Sequence, residues 1–145
     1  MPPKKVLFLC TGNYYRSRFA EELFNHLAEQ KGLAITADSA GLKVAESRTV
    51  NLGTFSKHSY TALQRRRIIP RNDLREPRQL DPREISPDTL AIALSESEHQ
   101  PIFQQLHPEL LDRIRFWRVE DLNLESAQNA IEQIERNVRQ LIDEL

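Results

Sequence analysis

Five consecutive apolar residues, Val6-Leu-Phe-Leu-Cys10, run straight into Thr11-Gly12-Asn13, and beyond that polar break Phe19, Ala20, Leu23, Phe24, Leu27 and Ala28 recur on one helical face as far as Gly32. A short apolar run closed by turn-forming residues reads as a buried strand, and the later spacing as an amphipathic helix with a glycine stop. The chain therefore opens on a strand, loop, helix unit.

The same alternation continues. Ala34 to Ser39, closed by Gly41, reads as a second strand, and Tyr60, Leu63 and the run toward Ile68 predict a helix ending near the triple arginine Arg65 to Arg67. Pro70, Pro77, Pro82 and Pro87 mark mostly loop. Leu90 to Leu94 is a third buried strand, Ser95 to Ser97 open a short helix through Phe103 to Leu106, and Ile114 to Val119 fits a fourth strand. Ala127, Ala130, Ile131, Ile134, Val138, Leu141 and Ile142 form the best helical stripe in the sequence. Strands alternating with helices favour an α/β parallel sheet with right-handed crossovers and helices on both faces. At 145 residues, the chain is expected to be a single three-layer domain over 1–145.

Several classes are excluded. No apolar stretch approaches the roughly 18 to 20 residues of a membrane span, and the five apolar residues after Lys5 are too few for a signal peptide, so a soluble, cytoplasmic protein without a membrane partner is expected. One cysteine, Cys10, rules out an internal disulfide or a multi-cysteine zinc site, and His26, His58, His99 and His107 lack a metal-ligating spacing. No metal is expected. The net charge of -1 hides six arginines between Arg65 and Arg78, against Asp73 and Glu76. Such a segment is a solvated face or a lure for an anionic substrate; no nucleic-acid module accompanies it, and no nucleic-acid partner is expected.

In open parallel sheets ligands bind beyond the carboxyl ends of the strands, and the first strand ends at the one cysteine. A loop of five residues, Thr11-Gly12-Asn13-Tyr14-Tyr15, joins Cys10 to Arg16 and Ser17. Gly12 and Asn13 tolerate the left-handed conformations of an anion nest, the following helix N-terminus adds positive potential, and Arg16 can fork two hydrogen bonds to a tetrahedral oxyanion. A phosphate fits this loop. The same field favours a thiolate, which makes Cys10 a nucleophile.

Cys10-Thr-Gly-Asn-Tyr-Tyr-Arg-Ser17, followed by Ala20-Glu21, resembles the phosphate loop of the low-molecular-weight protein tyrosine phosphatases and of the arsenate reductases that share their fold. The resemblance extends to Asp38-Ser-Ala-Gly41, Arg78-Gln79 and Trp117-Arg-Val-Glu-Asp121. It implies a four-stranded parallel sheet of order 2-1-3-4 with the phosphate loop after strand 1. It further implies that Cys10 attacks phosphorus and forms a cysteinyl-phosphate, that Arg16 holds the equatorial oxygens, and that Thr11, Gly12, Asn13, Tyr14, Tyr15, Arg16 and Ser17 surround the phosphate. Ser17 would hydrogen-bond the sulfur, Ser39 would support Asn13, and Asp121 would protonate the leaving phenolate. No cofactor is implied; the partner would be a phosphotyrosine-containing protein or a small aryl phosphate, met by a monomer.

The sequence also departs from the family pattern. Leu122 and Asn123 follow Asp121 where Asp-Pro is usual; Arg18 replaces a proline after Arg-Ser; Arg75 stands where a loop-bracing histidine is common; and Tyr15 replaces a second cysteine. Tyr14 lies where the family walls the substrate ring, and a small residue there would favour phosphoarginine, which Tyr14 does not. Two alternatives stay open: an arsenate reductase coupled to an external small thiol, since no second cysteine exists to relay oxidation, and a non-catalytic phosphate-binding module.

Overall fold

In a computed structural model of the chain, residues 3–119 and 126–145 are described, the side chains of 126 and 127 excepted. The expected general acid, Asp121, lies outside the described residues. Strand β1 (Lys5–Cys10) leads to helix α1 (Arg16–Lys31), strand β2 (Thr36–Gly41), a four-residue helix α2 (Val44–Ser47) and helix α3 (Lys57–Arg65). Strand β3 (Thr89–Ala93), helix α4 (Glu96–Leu106), strand β4 (Ile114–Phe116) and helix α5 (Ser126–Glu144) follow. The four strands form one sheet in the order β2-β1-β3-β4, and every pair is parallel.

Alternation along β1 divides the core. Val6 and Phe8 pack with Phe19, Leu23 and Phe24 of α1 and with Ile134 and Val138 of α5, whereas Leu7 and Leu9 face Phe103 and Leu110 on the other side. Both faces of the central strand are thus dry, which is why its sequence is a continuous apolar run rather than an alternating one. Phe8 is fully buried and its ring meets those of Phe24 and Trp117, so Phe8→Ala would cost about 3 to 5 kcal/mol.

Helix α3 stops at Arg65, at the triple arginine where the sequence places its end, whereas the ends of β4 and β2 differ from the expectation. Arg67 turns left-handed with φ of 60°, and N–H groups of Arg67 and Ile68 return to the carbonyls of Gln64 and Leu63, a Schellman closure that folds Ile68 back onto the core. Strand β4 ends at Phe116 rather than Val119. Past it, Trp117 donates to Ala93 O and accepts from the Glu96 N–H, while Arg118 bridges antiparallel to Ser95, so the chain bends around the start of α4. Strand β2 starts two residues later than Ala34 and reaches Gly41, directly opposite Cys10.

Candidate active site

Cys10 ends β1 and Arg16 begins α1, so the intervening loop closes over the carboxyl edge of the sheet beside the α1 N-terminus. Cys10 Sγ lies 2.9 Å from Ser17 Oγ and accepts from the Asn13 N–H at 3.3 Å. Asn13 adopts φ of 50°, the left-handed region that asparagine enters more readily than most residues. Its buried amide is fully engaged: Nδ2 donates to Ser17 Oγ and Ser39 Oγ, each at 2.9 Å, and Oδ1 accepts from Arg75 Nη1 and the Arg78 N–H, each at 3.1 Å. Gly12, expected to share the left-handed turn, does not have a positive φ. Its need is spatial, because a Cβ there would stand 3.0 Å from both Asn51 Nδ2 and Ser47 Cβ. Gly41 is tighter still: a Cβ would come within 2.6 Å of Val44 Cγ2 and 2.9 Å of Thr11 O.

A polar network lies beneath the loop. Ser39 Oγ donates to Glu21 Oε1 at 2.6 Å, and Arg75 Nη2 donates to that same oxygen at 3.2 Å and to Ser39 Oγ at 3.1 Å. Beside it Arg18 is wholly buried, its guanidinium donating to the carbonyls of Asn13, Thr54, Asn72 and Arg75 at 3.3, 2.8, 2.6 and 2.9 Å, with the Phe55 ring 4.9 Å away. Burial, with Arg75 adding repulsion against the pull of Glu21 and Glu22, lowers Arg18 to about 10, which leaves it charged at neutral pH.

On the α4 side, Glu98 Oε2 accepts from Thr11 Oγ1 at 2.5 Å and from Arg16 Nη2 at 2.7 Å. Burial alone would raise this carboxyl, but contacts with His99, Arg16 and Thr11 outweigh it and hold Glu98 well below the usual carboxylate range. On the opposite side a cavity of about 230 Å³ opens against Cys10, Gly12, Tyr14, Arg16, Val50 and Asn51. Tyr14 is pinned across this opening by its hydroxyl, which donates to Leu52 O at 2.5 Å. The Cys10 sulfur, the Asn13 N–H directed at it, the α1 N-terminus and the Arg16 guanidinium meet here, a set suited to bind a tetrahedral oxyanion and attack its central atom.

The family model for low molecular weight phosphotyrosine protein phosphatase matches residues 5–145. The chain belongs to that family. Membership places it among cysteine-based phosphatases. A low molecular weight protein tyrosine phosphatase from T. tengcongensis superposes with a TM-score of 0.76 at 25% identity, covering 97% of this chain and 99% of that one. The YwlE arginine phosphatase from Geobacillus stearothermophilus shares the fold, with a TM-score of 0.71 at 23% identity over 98% of this chain and 92% of that one. A protein-arginine-phosphatase of Bacillus subtilis (strain 168) is 36% identical over 63 residues, so the match spans 43% of this chain and only 39% of that relative.

Against this family the unusual residues acquire structural content. Arg75, in the place of a common histidine, reaches Asn13, Ser39 and Glu21 together, and Arg18, in the place of a proline, straps the Thr54 and 72–75 segments to the loop. Tyr15 turns its ring toward His58 at 6.0 Å. Most of the arginine-rich segment serves the fold: Arg66 pairs with Glu135, Arg71 with Glu29, Arg75 with Glu21, and Arg78 with Asp38 and Glu84. Sequence reasoning missed Glu98 and His99. The available signal was the acidic first turn of a helix that begins at the same sheet edge as Cys10, on the strand neighbouring β1. Among the described residues, no group of three or more His, Cys, Asp or Glu gathers as a metal site, and no helix is long and apolar enough to cross a membrane.

Proposed function

We propose that the chain hydrolyses aryl phosphate monoesters, phosphotyrosine on protein above all, with residues 1–145 working as one domain. The observation that carries this reading is the sulfur of Cys10 held between the Asn13 N–H and Ser17 Oγ at the start of α1, with Arg16 beside it. Cys10 Sγ attacks phosphorus, the bond from phosphorus to the phenolic oxygen breaks, and Asp121 delivers a proton to that oxygen. Arg16 and the loop N–H groups take up charge on the equatorial oxygens. Water then attacks the cysteinyl-phosphate as its proton passes to the Asp121 carboxylate, the sulfur–phosphorus bond breaks, phosphate departs, and Ser17 stabilises the returning thiolate while Asn13 and Ser39 keep the loop in shape.

The aryl preference is supported by Tyr14 and Val50 along the cavity, where a ring can lie between an aromatic and an aliphatic wall. A partial relative named as an arginine phosphatase makes phosphoarginine the competing substrate. The test compares one protein phosphorylated on tyrosine with the same protein phosphorylated on arginine, by phosphate release. Faster release from tyrosine supports the proposal; faster release from arginine transfers the assignment to that substrate.

A further inference from the structure

Glu98 is the third residue of α4, in a first turn that also carries Glu96, where the helix dipole favours acids. Strand β3 lies beside β1, so this turn meets the Cys10 loop at the sheet edge. There one oxygen, Glu98 Oε2, gathers the Thr11 hydroxyl and Arg16 Nη2, donors from the two ends of the loop. His99 is wholly buried behind it. The Ser95 N–H donates to His99 Nδ1 at 3.1 Å, which assigns the proton of a neutral ring to Nε2, and Nε2 stands 3.0 Å from Glu98 Oε2 without hydrogen-bond alignment. The carboxylate is thus bound as an oxyanion ligand would be, by groups that the loop would offer to a phosphoryl oxygen.

We propose that Glu98 is an affinity-setting residue of the loop, an internal oxyanion that competes with an entering phosphoryl group for the Thr11 hydroxyl and one arm of Arg16. The proposal rests on the reading of the loop as an oxyanion site. Two effects act together. The entering anion must take two committed donors, and it does so beside a negative charge that stays ionised across the pH range in which phosphate esters titrate. Because the Glu98 side chain is 37% exposed, it can swing toward solvent when displaced and return as phosphate leaves. A device of this kind weakens retention of free phosphate, the product of the proposed reaction.

The test uses the full chain carrying Cys10→Ser, so that nothing turns over, with inorganic phosphate as probe and calorimetry as readout. Glu98→Gln, which keeps shape and removes charge, is expected to tighten phosphate by about tenfold. Glu98→Asp, which keeps charge but withdraws it, is expected to fall between. Melting curves check that each variant folds. Unchanged or weaker binding by Glu98→Gln overturns the proposal, weaker binding meaning that Glu98 braces Arg16 for the ligand instead. Arg16→Met in the same background separates the two levels. If it removes phosphate binding, the loop is the site and the Glu98 result stands by itself; if phosphate binds as before, the oxyanion reading falls and the proposal with it.

Discussion

Ser17 Oγ stands 2.9 Å from Cys10 Sγ while accepting from Asn13 Nδ2 at 2.9 Å. With a lone pair of its oxygen taken by the amide, the serine proton is directed at sulfur, where it stabilises negative charge. Sulfur carries that charge when it leaves phosphorus, so Ser17→Ala should slow breakdown of the intermediate more than its formation. The expected outcome on p-nitrophenyl phosphate is a kcat and a KM lowered together by about 10- to 100-fold, a kcat/KM within about twofold of the native value, and a burst of nitrophenol in stopped flow. A fall in kcat/KM as large as that in kcat, without a burst, would locate the effect in the first step.

Arg18 holds four backbone carbonyls from three segments. Arg18→Met preserves most of the volume but strands these acceptors, and urea unfolding is expected to show a loss of about 3 kcal/mol. Arg18→Lys should recover only part of it, since an ammonium lacks the planar fork that spans the carbonyls. A loss below about 0.5 kcal/mol, the range of ordinary surface changes, would show that the strap is incidental.

His99 is held below the ordinary histidine value, first by burial and also by Arg16, against the pull of Glu98. The unfolded chain therefore binds this proton more readily than the folded one. The stability from keeping His99 neutral is complete above the unfolded value near 6.5 and declines as pH falls through it toward the folded value. Melting temperatures between about pH 7.5 and 5 should drop less steeply for His99→Gln than for the native chain. Equal slopes would contradict this.

Cys10 has no cysteine neighbour in the loop, its sequence partner position being Tyr15. A sulfenic acid formed there has no resolving thiol within the chain and proceeds to the sulfinic acid. Peroxide is expected to inactivate the protein with poor recovery in dithiothreitol, followed by residual p-nitrophenyl phosphate hydrolysis. Full recovery would show that the loop shields the first oxidation product.

The alternation of apolar runs and helical stripes made the sheet legible, because strands buried on both faces leave short continuous apolar runs that turn residues bound. The cysteine loop was legible too, since Cys10, Asn13, Arg16 and Ser17 are all local in sequence. What escaped depends on distant contacts. Arg18 reads as a surface charge until the Thr54, Asn72 and Arg75 carbonyls converge on it, and Glu98 reads as a helix-start acid until Thr11 arrives from 87 residues away. Gly12 was expected to share the left-handed turn and does not; what constrains its position is crowding by Ser47 and Asn51, which depends on residues distant in sequence. The Arg67 turn escaped because left-handed arginine has no local signature, its cost being covered by burying Ile68.

Hydrolysis of p-nitrophenyl phosphate between about pH 5 and 8, without metal and with reductant, by the native chain and by Cys10→Ser, tests the thiol mechanism most directly. Turnover by the native chain that disappears with the sulfur, together with a phosphoryl group recovered on Cys10 after rapid quench, is the expected result. Hydrolysis that survives Cys10→Ser, or a native chain that binds phosphate and never releases nitrophenol, would contradict it.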